Sequence, residues 1–234
     1  MTDTKDEECS GKLVKLTLVG EPLTGKSSIC NRYLGGCGVS FGSTQGAEVS
    51  AAQWVGARPP TPLQICDVAG AARVTNMLPN YLYASDIVIF VYDLTNLQSF
   101  DKLDVWMKTI KDIFESEPRK PLMALFGNKS DLEHQRAVRL SCVQKFSSEH
   151  LLENFKGSAR TGEMVNTAFS KLISRVLGVK MPIEIVAHRK STDTQISEQL
   201  NIQPVEDTNN TLIMNRKMLR KIQRKASSSV CCVQ

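Results

Sequence analysis

The chain has 234 residues, 41% of them apolar, and a net charge of +5, enough material for a buried core in one large domain or two small ones. The charge is uneven: after Asp207 there are no acids and six bases, Arg216, Lys217, Arg220, Lys221, Arg224 and Lys225, so the body is near neutral, which argues against a basic nucleic-acid-binding domain and gives the tail an anionic partner. Seven scattered cysteines, with no CxxC or Cys/His spacing, argue for free thiols rather than a disulfide framework or a zinc site.

Residues 1–11 are polar and acidic and read as a flexible N-terminus, not a secretory leader. Leu13 to Val19 alternates with β-formers and reads as a strand. A Gly-containing loop and a helix from about Lys26 to Leu34 follow. Gly35 to Gly46 is rich in Gly and Ser and reads as a loop. Val49 to Val55 and Leu63 to Val68 read as strands joined through Pro59, Pro60 and Pro62. Ile87 to Tyr92, far too short to span a bilayer, is a continuous apolar run, the pattern of a strand buried on both faces. In Phe100 to Phe114 the spacing of Leu103, Trp106, Met107, Ile110 and Phe114 predicts one buried helical face. Pro121 to Phe126 reads as another buried strand, Ser141 to His150 as a weaker helix, Asn154 to Gly157 as a short strand and Glu163 to Leu177 as a helix. Strands alternating with helices predict an α/β fold with a mostly parallel sheet and helices on both faces. Residues 189–211 are polar and poor in large apolar side chains, the composition of a linker.

Gly20-Glu21-Pro22-Leu23-Thr24-Gly25-Lys26-Ser27 matches GxxxxGK[ST], after a predicted strand and before a predicted helix. In that context the backbone N–H groups of Gly20, Leu23, Thr24, Gly25, Lys26, Ser27 and Ser28 cradle phosphates. Lys26 reaches the β- and γ-phosphates, and the Ser27 hydroxyl ligates Mg²⁺. Asn128-Lys129-Ser130-Asp131 sits at the carboxyl end of a predicted strand, where open α/β sheets bind ligands. The Asp131 carboxylate can accept from the guanine ring N–H and its exocyclic amine, an arrangement adenine lacks. Ser158-Ala159-Arg160, ahead of the last helix, supplies a third base-contacting loop. Asp67-Val68-Ala69-Gly70 closes a predicted strand, with Asp67 placed to hold Mg²⁺ through water and the Gly70 N–H placed to meet the γ-phosphate. Thr44, between the first helix and the next strand, is the candidate second hydroxyl on the metal. Contacts of Thr44 and Gly70 that need the γ-phosphate would be lost on hydrolysis, releasing both loops.

These five elements in this order resemble the Ras superfamily of small GTPases over about Leu13 to Leu177. Val91-Tyr92-Asp93-Leu94-Thr95-Asn96 with Ser99-Phe100, and Thr44-Gln45-Gly46, look Rab-like. Asp131-Leu132-Glu133-His134 and the ending Cys-x-Val-Gln resemble the Rab branch that ends in a CaaX-like box. The resemblance implies a P-loop NTPase small G domain over residues 12–179, with a six-stranded, mostly parallel sheet flanked by about five helices. It implies GTP/GDP and Mg²⁺ as cofactors, with Lys26, Thr44 and Gly70 serving hydrolysis. It also implies an exchange factor, an activating protein and effectors of Rab type, and a monomer on the cytoplasmic face of endomembranes with a cytosolic pool. The chain departs from the family in several places. Ala71 stands where a Gln usually orients the attacking water, which predicts slow intrinsic hydrolysis, or a GTP-binding scaffold with negligible hydrolysis. Pro22 replaces a usually small loop residue and removes an N–H. At the positions of the Rab aromatic triad stand Val49, Cys66 and Tyr81. Cys37 is the nearest match to the aromatic that stacks on guanine, with Phe41 closer to the phosphates. Arg160 stands for the usual Lys.

Residues 180–234 read as a hypervariable linker and basic prenylated tail. Cys231-Cys232-Val233-Gln234 is compatible with farnesylation of Cys231 as a CaaX box and with geranylgeranylation of both Cys231 and Cys232. The basic pairs recur every four residues with Met214, Met218, Leu219 and Ile222 between them, which fits either an amphipathic helix on an anionic leaflet or a solvated basic segment. One lipid anchors marginally, and the bases would add the second signal.

Overall fold

A computed structural model describes residues 12–39 and 42–180. Six strands, β1 (Val14–Val19), β2 (Ala47–Trp54), β3 (Thr61–Val68), β4 (Ile87–Asp93), β5 (Leu122–Asn128) and β6 (Glu153–Lys156), form one sheet in the order β2-β3-β1-β4-β5-β6. Only the β2–β3 pair is antiparallel. The helices are α1 (Lys26–Tyr33), α2 (Leu78–Leu82), α3 (Leu97–Asp101), α4 (Leu103–Glu115), α5 (Leu140–Glu149) and α6 (Val165–Leu177).

The apolar run in β4 divides its side chains by period two. Val88, Phe90 and Tyr92 enter a core shared with α2, α3, α4 and α5, while Ile87, Ile89 and Val91 enter the core shared with α1 and α6. A strand covered on both faces needs no polar side, which is why its sequence does not alternate. The stripe Leu103, Trp106, Met107, Ile110 and Phe114 is buried as the helical spacing predicts. Each such side chain contributes about 1.5–3 kcal/mol by leaving water.

Three details differ from the sequence expectations. The predicted helix from Phe100 is two helices, with a break at Lys102 between α3 and α4. The one-turn α2 falls in a stretch to which the sequence pattern assigns no element. Pro79 falls in the first turn, where its missing N–H has no intrahelical partner to lose. Pro62 lies inside β3 rather than in the connection. It precedes Leu63, the first β3 residue paired with β1, and so faces only Gln53 of β2.

Parallel pairing brings the carboxyl ends of β1, β3, β4 and β5 to one edge, and β1 is the strand from which the chain departs to both sides. That edge is where a ligand crevice forms in open α/β sheets. Among the described residues no helix is long and apolar enough to cross a membrane. Cys231, Cys232 and the basic pairs lie outside the described residues, as do Ser40 and Phe41.

Candidate functional site

The turn out of β1 forms the floor of a cleft of ≈ 420 Å³ whose walls include Lys26, Ser27, Ser28, Thr44, Gly70 and Lys129. That volume is in the range of small-molecule sites, roughly 300–1,000 Å³. Leu23 (φ 63°) and Gly25 (φ 90°) adopt left-handed conformations that curl the loop. At Gly25 the curl brings the backbone against β5: a Cβ there would lie 2.3 Å from Asn128 Nδ2. Buried Thr24 fastens the turn by donating to the Glu21 carbonyl at 2.9 Å. Lys26 is buried, and its ammonium donates to the carbonyls of Gly20 (3.0 Å) and Glu21 (2.9 Å). Burial pushes its pKa down to about 8, against the opposing pull of Asp67 and Glu21. An arriving phosphate would supply the counter-charge that favours the charged form.

The three residues expected at the metal converge. Asp67 Oδ2 accepts from the hydroxyls of both Ser27 and Thr44 (3.2 Å for Thr44), and the two hydroxyls are 2.9 Å apart. Asp67 Oδ1 is buried with no hydrogen-bond partner. Burial pushes the Asp67 carboxyl above its ordinary value, with the Ser27 hydrogen bond and Lys26 pulling it back. Hard oxygen donors around a carboxylate with an unsatisfied buried oxygen fit Mg²⁺, which Ser27, Thr44 and Asp67 would hold. Bound there, the cation would neutralise phosphate charge. Gly70 closes the same wall: a Cβ there would lie 2.2 Å from Pro22 N and 2.4 Å from Pro22 Cδ. The turn carrying Ala71 is thus pressed onto Pro22, and Ala71 itself is exposed.

Opposite the phosphate end, the two base loops are joined through Asn128. Its Nδ2 donates to the Thr24 carbonyl (2.8 Å) and its Oδ1 accepts from the Ala159 N–H (3.0 Å). Ser158, fully buried, donates to Asp131 Oδ1 at 2.5 Å and accepts from the Thr161 N–H. Arg160 extends into solvent and reaches Asp131 Oδ2 only at 3.9 Å. Asp131 keeps acceptor capacity for a base, since an ionised carboxylate offers about four lone-pair sites. Asn128→Ala should weaken nucleotide binding about 10-fold, because it orphans the Thr24 carbonyl and the buried Ala159 N–H together. Competition binding against a fluorescent guanine nucleotide checks this, and unchanged affinity would refute it.

Long-range contacts that no local pattern specifies hold these loops in place. Lys129, in a left-handed conformation (φ 68°), forms a 2.6 Å ion pair with Asp93, whose other oxygen accepts from the Thr95 N–H and hydroxyl. Glu21 accepts from the Trp106 indole at 3.0 Å and lies 3.8 Å from Arg73. Arg32, in the last turn of α1, donates to the carbonyls of Cys37, Ala159 and Arg160. The Cys37 side chain is exposed, whereas its neighbour Gly38 is buried. Of the three residues at the Rab aromatic-triad positions, Val49 is exposed and opposes Cys66 across the β2–β3 pair. Cys66 is buried, leaving half-buried Tyr81 as the aromatic of the three.

Comparison with known proteins agrees with this geometry. Residues 15–178 match the Ras family model. The chain is 27% identical over 231 residues to the Ras-related protein Rab-28 of Caenorhabditis elegans, covering 97% of this chain and 89% of the relative. It is 30% identical over 219 residues to the Ras-related protein Rab5A of Oryza sativa subsp. japonica, covering 93% and 94%. It is 29% identical over 241 residues to the GTP-binding protein ypt4 of Schizosaccharomyces pombe, covering 97% and 100%. With the Gly20–Ser27 loop, the Ser27–Thr44–Asp67 cluster and the Asn128–Asp131–Ser158 group at one sheet edge, the chain belongs to the Ras family and is Rab-like within it.

Proposed function

We propose that this chain is a GTP/GDP-regulated, Mg²⁺-dependent switch that recruits effectors on endomembranes in trafficking, with slow intrinsic hydrolysis. The observation that carries the reading is the convergence of Ser27, Thr44 and Asp67 beside a buried Lys26, with Asp131 and Ser158 at the far end of the same edge. A triphosphate chain needs the first group and a guanine base needs the second. Thr44 and Gly70 are the residues whose position would report the γ-phosphate, Thr44 through the metal and Gly70 through its N–H.

The Rab names of the relatives support the class of regulators: an exchange factor, an activating protein and effectors of Rab type. The chain is proposed to act as a monomer. The G domain is assigned to residues 12–179. Residues 180–234 would supply the tether, by prenylation at Cys231, or at Cys231 and Cys232, with the basic pairs as the second membrane signal. Hydrolysis is proposed to be slow because Ala71 offers no side-chain group to orient water. The same Ala71, together with the contact of Gly70 on Pro22, favours a second reading in which the protein is a GTP-binding scaffold with negligible turnover.

Protein purified from cells tests both halves. Extracted nucleotide should be GTP and GDP, and recovered ATP would overturn the base assignment. The mass of the C-terminal peptide should carry one farnesyl or two geranylgeranyl groups, and an unmodified peptide would overturn the tether.

A further inference from the structure

Arg32 occupies a junction that phosphate and metal chemistry do not require. From the last turn of α1 its Nε donates to the Ala159 carbonyl at 2.7 Å, and one terminal nitrogen donates to the carbonyls of Cys37 (2.6 Å) and Arg160. A planar guanidinium presents five N–H donors in a fixed fork, so one side chain can hold several carbonyls from separate loops. Two of the carbonyls belong to the base loop. The third opens the segment that continues to Thr44.

The contact between those two segments is close. Gly38 is buried with φ +72°, its N–H is held by Asn31 Oδ1 at 3.1 Å, and a Cβ at Gly38 would fall 1.9 Å from the Ala159 carbonyl oxygen and 2.8 Å from Arg32 Nε. Ala159 in turn donates its N–H to Asn128 Oδ1. A continuous chain of contacts therefore runs from Asn128 through Ala159 and Arg32 to Cys37.

We propose that Arg32 is a positioning residue that clamps the base-binding loop to the first switch segment, so that displacing that segment loosens the guanine end of the site as well as the phosphate end. The proposal rests on the guanine-nucleotide reading above and deepens it. Any partner that pulls Cys37 and Gly38 outward breaks the Cys37–Arg32 bond and the Gly38 contact on Ala159. The Ala159 N–H and the Ser158–Asp131 pair then lose a fixed backbone to stand on. Among the described residues of that segment no aromatic takes part: Cys37 is exposed, and Gly38, which packs against the base loop, has no side chain.

The test uses the full chain loaded with a fluorescent GDP analogue, following release into excess unlabelled GDP. In Mg²⁺, Arg32→Ala and Arg32→Lys should each release about 10-fold faster than wild type, because a lysine ammonium cannot reproduce the fork. Gly38→Ala, which attacks the same clamp from the other side, should accelerate release comparably, and Arg32→Ala/Gly38→Ala should be no faster than the faster single variant. Chelating Mg²⁺ should still accelerate Arg32→Ala by the wild-type factor, since the phosphate end is untouched. Wild-type release from Arg32→Lys, multiplication of the two single effects, or a lowered melting temperature with unchanged release would each overturn the clamp. A wild-type chain that holds no guanine nucleotide would overturn the functional reading itself. Tight wild-type retention with unchanged release in the Arg32 and Gly38 variants would remove this inference alone.

Discussion

Asp131→Asn should lower affinity for GDP and GTP by a factor on the order of 10³–10⁵ while raising affinity for the xanthine analogues. The carboxylate is an acceptor at both oxygens, and guanine offers two donors on one edge, the ring N–H and the exocyclic amine. An amide of the same shape keeps one acceptor and turns the other position into a donor, which would face the exocyclic amine. A site built to hydrogen-bond one partner rejects the wrong one strongly because buried polar groups are left unpaired. Xanthine carries a carbonyl in place of that amine, so the new donor is satisfied. The substitution is nearly isosteric, and the Ser158 hydroxyl, 2.5 Å from Oδ1, can donate to the amide oxygen, so the fold should be unchanged. Competition binding with GDP, xanthosine diphosphate and ADP checks the prediction. A variant that keeps its guanine preference would show that Asp131 does not read the base, and the assignment would then rest on the phosphate loop, which does not separate GTP from ATP.

What was legible in the sequence was local or periodic. Gly20 to Ser27 lies in one eight-residue run, and its chemistry follows from backbone N–H groups that any such turn presents. The buried face of α4 follows from residues three and four apart, and β4 from an unbroken apolar run. What was not legible depends on which strands become neighbours. Arg32 and Ala159 are 127 residues apart, and Glu21 and Trp106 are 85 apart. Asp93 meets Lys129 because β4 pairs with β5 in a register that sets Asp93 beside Asn128. No spacing rule predicts such pairs. The clamp left a weaker trace: a basic residue in the last turn of α1 is also the ordinary response to the helix dipole. Pro62 misled for a related reason. Proline is excluded only where an N–H is needed, and the pairing that decides this is tertiary.

Ala71→Gln should raise the intrinsic single-turnover rate of GTP hydrolysis on the order of 100-fold, toward the low end of the roughly 10²–10⁴ that a positioned polar side chain contributes. Ala71 is exposed in the short turn that follows Gly70, so a longer side chain meets no packing obstacle. What limits the gain is Pro22. Its ring lacks the N–H that another residue would present, and it abuts Gly70 so closely that no Cβ fits between them. Pro22→Gly combined with Ala71→Gln should therefore exceed Ala71→Gln alone, whereas Pro22→Gly alone should gain little, because water would still lack an orienting group. Quench-flow release of labelled phosphate from preloaded protein gives all four rates. Ordinary family-level hydrolysis in the wild-type chain would refute the premise, and an unchanged rate in Ala71→Gln would place the deficit elsewhere in the site. An activating protein discriminates the two functional readings further. If it supplies both Arg and Gln in trans, the stimulated wild-type rate should be high and Ala71→Gln should add nothing to it, since the position is already served. If the chain is a scaffold, stimulation should be absent in wild type, and the variant alone should turn over.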